Sequence, residues 1–278
     1  MERAICFGAA GGGKRLYKEI AEKYSVIAFA DNDSKKWGGK IFEVDVFSPE
    51  TCLAMDYDVI IITSAPGLES IKKQCLDLGV PERKIVTSFV TAPLDSRRIF
   101  LEKLSLMQKE ADADAEVAEA GVFEGDFAKW INSYYPTRKL HLFDTFEGFA
   151  EKDVKEEEGL SQAKAGDYSN TTVERVIEKM AFPDKVEIHK GYFPDTALEI
   201  RSRFCFVNLD MDLYEPTYQG LKFFEDKMIA GGVILVHDYF AENFKGPKKA
   251  VDNLIEESQG KYSAYPIGDG ISVMVVGF

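Results

Sequence analysis

Long apolar runs and paired cysteines are both absent from this sequence. The four cysteines lie far apart, at Cys6, Cys52, Cys75 and Cys205. Because no CxxC pair occurs among them, we expect buried free thiols in a reducing cytoplasm, not a disulfide framework or a structural zinc site. No stretch reaches the roughly 18 consecutive apolar residues of a transmembrane helix, and no apolar signal segment follows Met1. These absences predict a cytoplasmic protein that does not enter a membrane.

Positive charge is also scarce. The chain has 47 acidic residues but only 34 lysines and arginines, which gives a formal net charge of −13. Such a surface repels nucleic-acid phosphates and anionic lipid headgroups, so we expect neither nucleic acid nor a membrane surface as a partner. Small molecules are the predicted partners. The hydrophobic content, 45% of 278 residues, is sufficient for one large core or two smaller ones.

Two α/β series follow one another along the chain. In the first series, helical patterns alternate with the strand-like runs AICFGA, SVIAFA, DVIIITS and KIVTS. This alternation predicts a small Rossmann-like α/β domain over residues 1–92, with a parallel sheet and crossover helices. Residues 94–114 have apolar positions at helical spacing and predict a connecting helix. The second predicted domain therefore comprises residues 93–278.

The second series has seven strand-like runs, of which the last two form a hairpin-like pair. The runs are EVAEAGVF, KLHLFD, KVEIH, FCFVNLD, GGVILVHD, SAYPI and ISVMVVGF. This order is typical of the Rossmann-like sheet of class I methyltransferases, although other doubly wound α/β folds share the strand count. An acidic segment between Glu151 and Asp167 has no strand signal. It is open to two interpretations, a solvated loop or a lid over a site.

The turn after the first strand contains a cluster of glycines. Gly8 and three consecutive glycines ending at Gly13 precede a helical pattern, and Asp31 follows the second strand. This arrangement is typical of a nucleotide-binding turn, but Ala10 stands where dinucleotide folds have the glycine that admits the pyrophosphate. A turn kept only for folding is an equally good interpretation. The first domain resembles the small nucleotide-sugar-binding-like domain at the front of some glycan-modifying enzymes.

Acidic residues recur at the carboxyl ends of the predicted strands, where ligands of open α/β sheets bind. In the second series Asp144, Asp210 and Asp238 each follow a strand, and His237 directly precedes Asp238. Carboxylates that converge on one crevice suit a hard divalent cation, and such a cation lowers the pKa of a bound hydroxyl. Asp210 and His237 are the candidate catalytic residues, and together with Asp238 they are the candidate metal ligands. Asp212 is interpreted as a cap of the following helix.

A cofactor site is predicted beside these acids. The candidate binding residues lie in turns after three strands: Glu119, Gly121, Gly125, Asp144, Thr145, Gly191 and Tyr192. The turn from Glu119 to Gly125 leads into a helix and lets the backbone approach a nucleoside or an amino-acid carboxylate. Asp144 is placed to accept hydrogen bonds from both hydroxyls of a ribose.

Six segments of the second series, in chain order, resemble the macrocin O-methyltransferase (TylF/MycF) family, whose members methylate sugars in antibiotic biosynthesis. The segments are AEAGVFEGDFAKWI, LHLFDTFEGF, KGYFPDTAL, VNLDMDLYEPTYQGLKFF, GGVILVHDYF and GPKKAVDNL. The resemblance covers about residues 95–278. It implies S-adenosylmethionine (SAM) as the cofactor, magnesium bound by Asp210, His237 and Asp238, and a vicinal-diol sugar or glycoside as methyl acceptor. It is also compatible with a homo-oligomer.

Two departures from the family pattern affect the site. The family has aspartate where this chain has His237, and imidazole suits manganese, iron or zinc better than magnesium. Three interpretations are open: His237 tunes the metal, acts as a base, or marks a change in metal use. Around Gly125 the family has a basic residue and a second glycine, so the contacts to the methionine end of SAM are open. His189 is an alternative base, whereas His141 is predicted to be a hydrogen-bonded core residue.

Two other functions are open on the sequence. The chain could be a nucleotide-sugar oxidoreductase or epimerase driven by the first domain, although Ala10 weakens its glycine pattern. The chain could instead be a nucleotide-sugar-binding module with a noncatalytic methyltransferase-like domain. Binding of SAM, NAD or uridine diphosphate sugars separates these alternatives.

Overall fold

The computed structural model describes every residue except Glu158. The chain divides into two compact units, Met1–Asp95 and Ser96–Phe278. The division falls inside a helix that runs from Ser88 to Met107. This helix stands where the sequence predicts a connecting helix over residues 94–114, but it begins six residues earlier and ends seven residues earlier than predicted.

The first unit contains a six-stranded sheet with helices packed against it. Its strands are β1 (Arg3–Phe7), β2 (Ser25–Ala30), β3 (Lys40–Ile41), β4 (Val44–Phe47), β5 (Val59–Ile62) and β6 (Ile85–Val86). Its helices are α1 (Gly11–Lys23), α2 (Pro49–Leu53), α3 (Leu68–Asp77) and the first turns of α4 (Ser88–Met107). The strand order is β3-β4-β2-β1-β5-β6. All neighbouring strands are parallel except β3 and β4, so the predicted Rossmann-like sheet is confirmed apart from this pair.

The antiparallel β3–β4 pair was not expected in a sheet predicted to be parallel. Phe42 and Glu43 join the two strands with φ angles of 46° and 68°. Two consecutive left-handed residues form the type I′ turn that is favoured in tight hairpins. The usual sequence signal for this turn is Asn-Gly or Asp-Gly, and Phe-Glu lacks it. The sequence pattern therefore gives no warning of the hairpin.

The glycine cluster of the first unit allows close packing of its backbone. A Cβ atom on Gly12 would lie 2.1 Å from the carbonyl oxygen of Thr63, which follows β5. The hydroxyl of Thr63 donates to the carbonyl oxygens of Phe7 and Gly8 at 3.0 and 2.8 Å. Gly12 is therefore required for α1 to begin against the ends of β1 and β5, whether or not this turn binds a ligand.

The second unit contains a seven-stranded sheet. Its strands are β7 (Glu116–Ala120), β8 (Leu140–Asp144), β9 (Val186–Lys190), β10 (Phe204–Leu209), β11 (Met228–Val236), β12 (Ser263–Pro266) and β13 (Val273–Val276). Its helices are the rest of α4, α5 (Ala128–Tyr134), α6 (Glu151–Glu156), α7 (Val173–Glu178), α8 (Tyr214–Glu225) and α9 (Gly246–Glu257). The order is β12-β13-β11-β10-β7-β8-β9, and only β13 is antiparallel to its neighbours. The predicted class I methyltransferase-like sheet is confirmed.

Apolar side chains cover both faces of the second sheet. One face buries Phe143, Phe204 and Phe224 in a single cluster, and the other buries Leu142 and Phe206. Every residue of β10 is buried, as expected for a central parallel strand between two helical layers. Because both faces are filled, a ligand finds space only beyond the ends of the strands.

The chain bends sharply where the strands of the second sheet end. Non-glycine residues with left-handed backbones follow four of its strands: Phe123 after β7, Phe146 after β8, Asp212 after β10 and Asp238 after β11. Such conformations are costly and cluster at functional sites, where the surrounding structure imposes them. The carboxyl edge of this sheet is therefore the candidate site.

The acidic segment is anchored to the second unit. It begins with α6, where Asp153 accepts a hydrogen bond from the hydroxyl of Tyr192 at 2.8 Å. Further along, the Glu157 carboxylate accepts the backbone N–H of Tyr214 at the start of α8, and the carbonyl oxygen of Leu160 accepts the N–H of Lys245 at 3.0 Å. These described parts of the segment are docked, so a fully solvated loop does not account for it.

The four cysteines are free and buried, as predicted. Burial raises the pKa of each thiol, to about 11 for Cys52 and Cys75. In the described part of the chain, every helix is too short or too polar to span a bilayer.

Candidate active site

Three donor groups meet at the carboxyl ends of β10 and β11. Asp210 follows β10, and His237 and Asp238 follow β11. The Nδ1 atom of His237 lies 3.0 Å from Oδ1 of Asp210 and 2.9 Å from Oδ2 of Asp238. Asp238 is buried, while the other two side chains are partly exposed. The three residues selected from the sequence as metal ligands are thus neighbours in the structure.

A buried arginine from α4 holds the opposite side of Asp210. The Nη2 atom of Arg97 donates to Oδ1 of Asn208 at 2.8 Å and to Oδ2 of Asp210 at 3.0 Å. Its guanidinium carbon lies 3.9 Å from the ring centre of Phe127, a cation–π contact. Sequence analysis missed Arg97 because it precedes Asp210 by 113 residues and belongs to no strand-end motif.

Neighbouring charges set the protonation of this group. Burial alone would raise the pKa of Asp210, but His237 and Arg97 outweigh it and hold the pKa below its usual range. Burial alone would lower the pKa of His237, but Asp210 and then Asp238 raise it to about 10. At neutral pH Asp210 is therefore a carboxylate and His237 is protonated.

Asp212 does not cap α8, so that prediction is wrong. The residue at the N-cap is Leu213, and the first helical amide, that of Tyr214, donates to Glu157 instead. Asp212 has a left-handed backbone, with φ of 59°. Burial, followed by the nearby carboxylates of Asp238 and Asp210, raises its pKa well above the usual range. Asp212 therefore lies on the same acidic side of the crevice as the three donor groups.

Glu119 points into the crevice from β7 and is only 2% exposed. Its Oε1 atom accepts a hydrogen bond from Asn208 at 2.7 Å, while Oε2 is buried with no hydrogen-bond partner among the described residues. Burial and then the charge of Asp210 raise its pKa to about 8. A buried acceptor left unpaired is costly, which makes Oε2 an open position for a donor on a ligand.

The turn after β7 contacts Asp210 directly. Gly121 has φ of 83°, and a Cβ atom there would lie 2.0 Å from the carbonyl oxygen of Asp210. The N–H of Asp210 in turn donates to the carbonyl oxygen of Ala120 at 2.9 Å. Only glycine allows this approach, so the predicted cofactor turn and the candidate metal ligand form one continuous surface.

Asp144 organises the loops around it. Its Oδ2 atom accepts the backbone N–H groups of Val122 and Phe123 at 2.7 and 2.9 Å, and its Oδ1 atom accepts that of Phe146 at 2.7 Å. Oδ2 therefore accepts two hydrogen bonds and Oδ1 one, so the remaining lone pair on Oδ1 is left for a ribose hydroxyl. Asp144 therefore has a structural role that sequence analysis did not identify.

The other predicted cofactor residues contact other parts of the protein. Thr145 donates to the carbonyl oxygen of Gly148 at 2.9 Å, and Gly191 donates its N–H to the carbonyl oxygen of Asp144 at 2.9 Å. The hydroxyl of Tyr192 is engaged by Asp153 of α6. Gly125 packs against Val176 of α7. The hydroxyl groups of Thr145 and Tyr192 thus both donate hydrogen bonds within the protein.

An aromatic side chain that sequence analysis missed stands near the acids. Tyr168 lies 5.3 Å from the ring centre of Phe123 and 5.2 Å from that of Phe149, both edge-on. Burial, and then the charges of Asp212 and Asp238, raise its pKa. Tyr168 has a left-handed backbone, with φ of 66°. No sequence motif around it could have identified it as a site residue.

The remaining histidines lie elsewhere. His141 is 1% exposed and hydrogen-bonded, as predicted for a core residue. His189 contacts His141 at 2.8 Å and stacks on Phe143, with ring centres 4.4 Å apart. His189 clusters with His141 and Glu187 and is not part of the cluster that contains Asp210. His189 is therefore poorly placed to act as the alternative base.

Comparison with protein families divides the chain as the structure does. Residues 100–261 match the model of the macrocin-O-methyltransferase (TylF) family, which is more than half of the chain. Residues 1–86 match the model of the N-terminal domain of C2185-like proteins. No curated protein matches the sequence.

Solved structures share the fold at low sequence identity. The O-methyltransferase NovP is 19% identical with a TM-score of 0.52, and the match covers 64% of this chain and 78% of NovP. The calicheamicin methyltransferase CalS11 is 15% identical with a TM-score of 0.57, and the match covers 77% of this chain and 93% of CalS11.

Proposed function

The chain is a SAM-dependent O-methyltransferase of the macrocin-O-methyltransferase (TylF) family, and we propose that it methylates a hydroxyl of a sugar or glycosylated small molecule with the help of a divalent cation. The observation that carries the proposal is the meeting of Asp210, His237 and Asp238 beside the glycine turn at Gly121. Methyl transfer needs a donor and an acceptor in one crevice. These two adjacent features provide a place for each.

The residues of the β7 turn suit the methionine end of SAM. The unpaired Oε2 atom of Glu119 is an acceptor that an ammonium group would satisfy. We assign Gly121 and Gly125 to the backbone surface along this end, and Asp144 with Thr145 to the ribose. Gly191 and Tyr192 border the adenosine side. SAM supplies a methyl group on a positively charged sulfur, and the surrounding acids favour that charge.

The donor set also suits a cation. Ligands at right angles around an ion with bonds of about 2.1 Å lie about 3 Å apart, which is close to the spacings between His237 and the two carboxylates. A carboxylate–imidazole–carboxylate set accepts magnesium, and it suits manganese better. Such an ion would lower the pKa of an acceptor hydroxyl. His237 must lose its proton to join the set, so binding of the ion releases a proton.

The chain's own residues position these groups. Arg97 fixes one oxygen of Asp210 and leaves the other facing His237. Since in-line transfer needs the acceptor oxygen and the methyl group roughly 3 Å apart, rigid placement of Asp210 contributes directly to the rate. Tyr168 and Phe149 contact each other edge-on and give the crevice an aromatic side. His237 orients the acceptor through the bound ion and is not required as a general base.

The acceptor is proposed to be a vicinal-diol sugar or a glycoside. The family resemblance supports this class, and the acidic surface disfavours nucleic acid as a substrate. Two adjacent hydroxyls could approach one cation together. The free thiols support a cytoplasmic location, and a homo-oligomer is compatible with the family.

The first unit is proposed to recognise the acceptor or its carrier, such as a nucleotide sugar. An oxidoreductase is less well supported, because Ala10 stands where dinucleotide folds have the glycine that admits the pyrophosphate. Asp31, the acid that follows the second strand, holds the glycine turn in place. Its Oδ2 atom accepts from the Ala9 N–H at 2.7 Å and pairs with Lys36 at 3.0 Å, and its Oδ1 atom accepts the Asp33 N–H at 2.9 Å. These hydrogen bonds stabilise the glycine turn after β1.

The direct test of the proposed function is methyl transfer from labelled SAM to a panel of sugars, nucleotide sugars and glycosides. We expect labelled product with at least one diol acceptor, and loss of that product in Asp210→Asn. The surface variant Asp252→Asn, whose side chain pairs with Lys248 on α9, should retain activity. Binding of SAM without transfer to any hydroxyl acceptor would favour a noncatalytic methyltransferase-like domain.

A further inference from the structure

A second cluster of metal-binding side chains lies on the outer strands of the second sheet. His141 of β8 and His189 of β9 face each other, with Nδ1 of His141 2.8 Å from Nε2 of His189. Oε1 of Glu187 lies 3.6 Å from the same Nε2 atom. His141 precedes Asp144 by three residues, about 10 Å along an extended strand. The cluster is therefore separate from the candidate active site.

We propose that His141, His189 and Glu187 form a structural site for zinc or a similar transition-metal ion. Two imidazole nitrogens and a carboxylate oxygen are a common zinc ligand set, with bonds of about 2.0–2.2 Å. In a tetrahedral site such ligands lie about 3.3 Å apart. The observed spacings of 2.8 and 3.6 Å bracket this value, so small side-chain movements would complete the site.

A fourth residue supports the site from behind. Oε2 of Glu116 lies 2.5 Å from Nε2 of His141, on the side of the ring away from His189. If this nitrogen donates to the carboxylate, the Nδ1 atom of His141 presents a lone pair toward His189. Carboxylate–histidine–metal arrangements of this kind fix the tautomer of a ligand and raise its basicity. Glu116 is thus the expected outer partner of the ligand His141.

The charges around the cluster are compatible with a cation. The carboxylates of Glu116 and Glu187 lie beside the two imidazole rings and favour a cation there. Lys139 is the nearby positive group, and it contacts Oε2 of Glu187 at 3.0 Å, which leaves Oε1 toward the histidines. His189 is partly buried and Glu187 half-exposed, so an ion can enter from solvent.

A metal ion at His141, His189 and Glu187 would link the edge strand of the sheet to the strand beside it. His189 and Glu187 lie on β9, the last strand of the sheet, while His141 and Glu116 lie on β8 and β7. An ion held between β8 and β9 stabilises the folded state by binding it in preference to the unfolded chain. Its predicted role is structural, so it need not take part in methyl transfer.

The test uses the full-length protein after chelation and dialysis, titrated with Zn²⁺ and with Co²⁺ as a spectroscopic probe. Stoichiometry is measured by elemental analysis, and stability by the melting temperature. We expect Zn²⁺ to raise the melting temperature of the wild type, and Glu187→Gln and His189→Gln to abolish one bound ion and this rise. Glu116→Gln should lower the affinity for that ion by roughly 10- to 100-fold. Glu178→Gln, on the exposed part of α7, is the matched carboxylate control.

The two metal sites are distinguished by comparing variants. Asp238→Asn should remove only an ion bound at the candidate active site and leave the ion that depends on His189. Failure of the proposed active-site metal would leave one ion, lost in His189→Gln but not in Asp238→Asn. Equal Zn²⁺ binding in wild type, Glu187→Gln and His189→Gln, with all metal-free proteins folded by circular dichroism, would overturn the structural site and leave a hydrogen-bonded histidine pair.

Discussion

The Nη2 atom of Arg97 lies 3.0 Å from Oδ2 of Asp210, so one oxygen of the central carboxylate is held by a fixed positive charge. The other oxygen faces His237. Arg97 also donates to Asn208, which in turn donates to Glu119. A single arginine on α4 therefore links the acid of the proposed cation site to the acid of the proposed cofactor site.

Replacing Arg97 should destabilise the fold and impair the site. Arg97→Met removes one of the two positive partners of Asp210 and the hydrogen bond to Asn208, and hydrogen bonds to charged groups of this kind are worth about 1.5–3 kcal/mol. Urea unfolding measures this loss. Arg98→Met is the matched control, because Arg98 is one position further along the same helix and donates to the Tyr134 hydroxyl at a partly exposed position. It should cost about 1 kcal/mol or less. Equal losses in the two variants would contradict the role given to Arg97.

Glu119 predicts a pH-dependent difference in stability. Its pKa is raised from 4.5 to about 8 in the folded protein. Between these values the folded state holds a proton that the unfolded chain has released, so this group's contribution to the free energy of unfolding falls as pH rises. It is fully present below about pH 4.5 and lost by about pH 8. Glu119→Gln lacks this titration, so it should gain stability relative to wild type as pH rises.

The measurement is urea unfolding of both proteins at a series of pH values from 5 to 9. The difference between the two isolates Glu119, since other titrating groups are common to both. The same variant should bind SAM more weakly, because glutamine cannot ionise to pair with the ammonium group as Glu119 can. A pH-independent difference in stability would show that Glu119 is ionised in the folded protein.

Asp144 should be needed for SAM binding. Asp144→Ala removes the proposed ribose contact and releases the amides of Val122 and Phe123. The expected loss is about 1.5–3 kcal/mol in binding free energy, the range for hydrogen bonds to a charged group. Titration calorimetry with SAM measures it. Asp126→Ala is the control, because Asp126 directly follows the turn whose amides Asp144 accepts but pairs with Lys129 and Lys179 at the surface. Unchanged affinity in Asp144→Ala would place the cofactor elsewhere.

The first unit should respond to nucleotide sugars if it recognises them. Uridine or guanosine diphosphate sugars at about 100 times their dissociation constant should stabilise the protein by about 2.7 kcal/mol, seen as a rise in melting temperature. NAD should give no rise, because Ala10 takes the place of the glycine that admits a dinucleotide pyrophosphate. A clear response to NAD, with none to SAM, would reverse the assignment of the chain to methyl transfer.

Much of the fold could be predicted because the apolar runs of parallel strands are continuous and separated by helical patterns. The ends of the strands follow from the same pattern, and they bring Asp210, His237 and Asp238 to one edge of the sheet, where the three side chains are neighbours. The β3–β4 hairpin was missed because each strand is short and the Phe42-Glu43 turn lacks glycine.

The rest of the site could not be predicted, because it depends on contacts between distant residues. Arg97 reaches Asp210 from a helix 113 positions earlier. Glu157, not Asp212, binds the first amide of α8, since the acidic segment folds back onto that helix. Helix-cap rules use neighbours in sequence, so they cannot anticipate a cap supplied by a docked segment.

In the proposed mechanism, a cation at Asp210, His237 and Asp238 supports methyl transfer. Imidazole favours transition ions, so manganese should sustain turnover at least as well as magnesium, and His237→Asp should shift the preference toward magnesium. Because His237 must release a proton to bind the ion, the apparent metal affinity should rise with pH.

The most direct measurement is methyl transfer to a sugar acceptor by chelated enzyme, with single metals added back. We expect little activity after chelation, recovery with Mn²⁺ or Mg²⁺ in wild type, and no recovery in Asp210→Asn or Asp238→Asn. Full activity after chelation, or full activity in both asparagine variants, would contradict the cation site and leave the acceptor hydroxyl to be activated by other means.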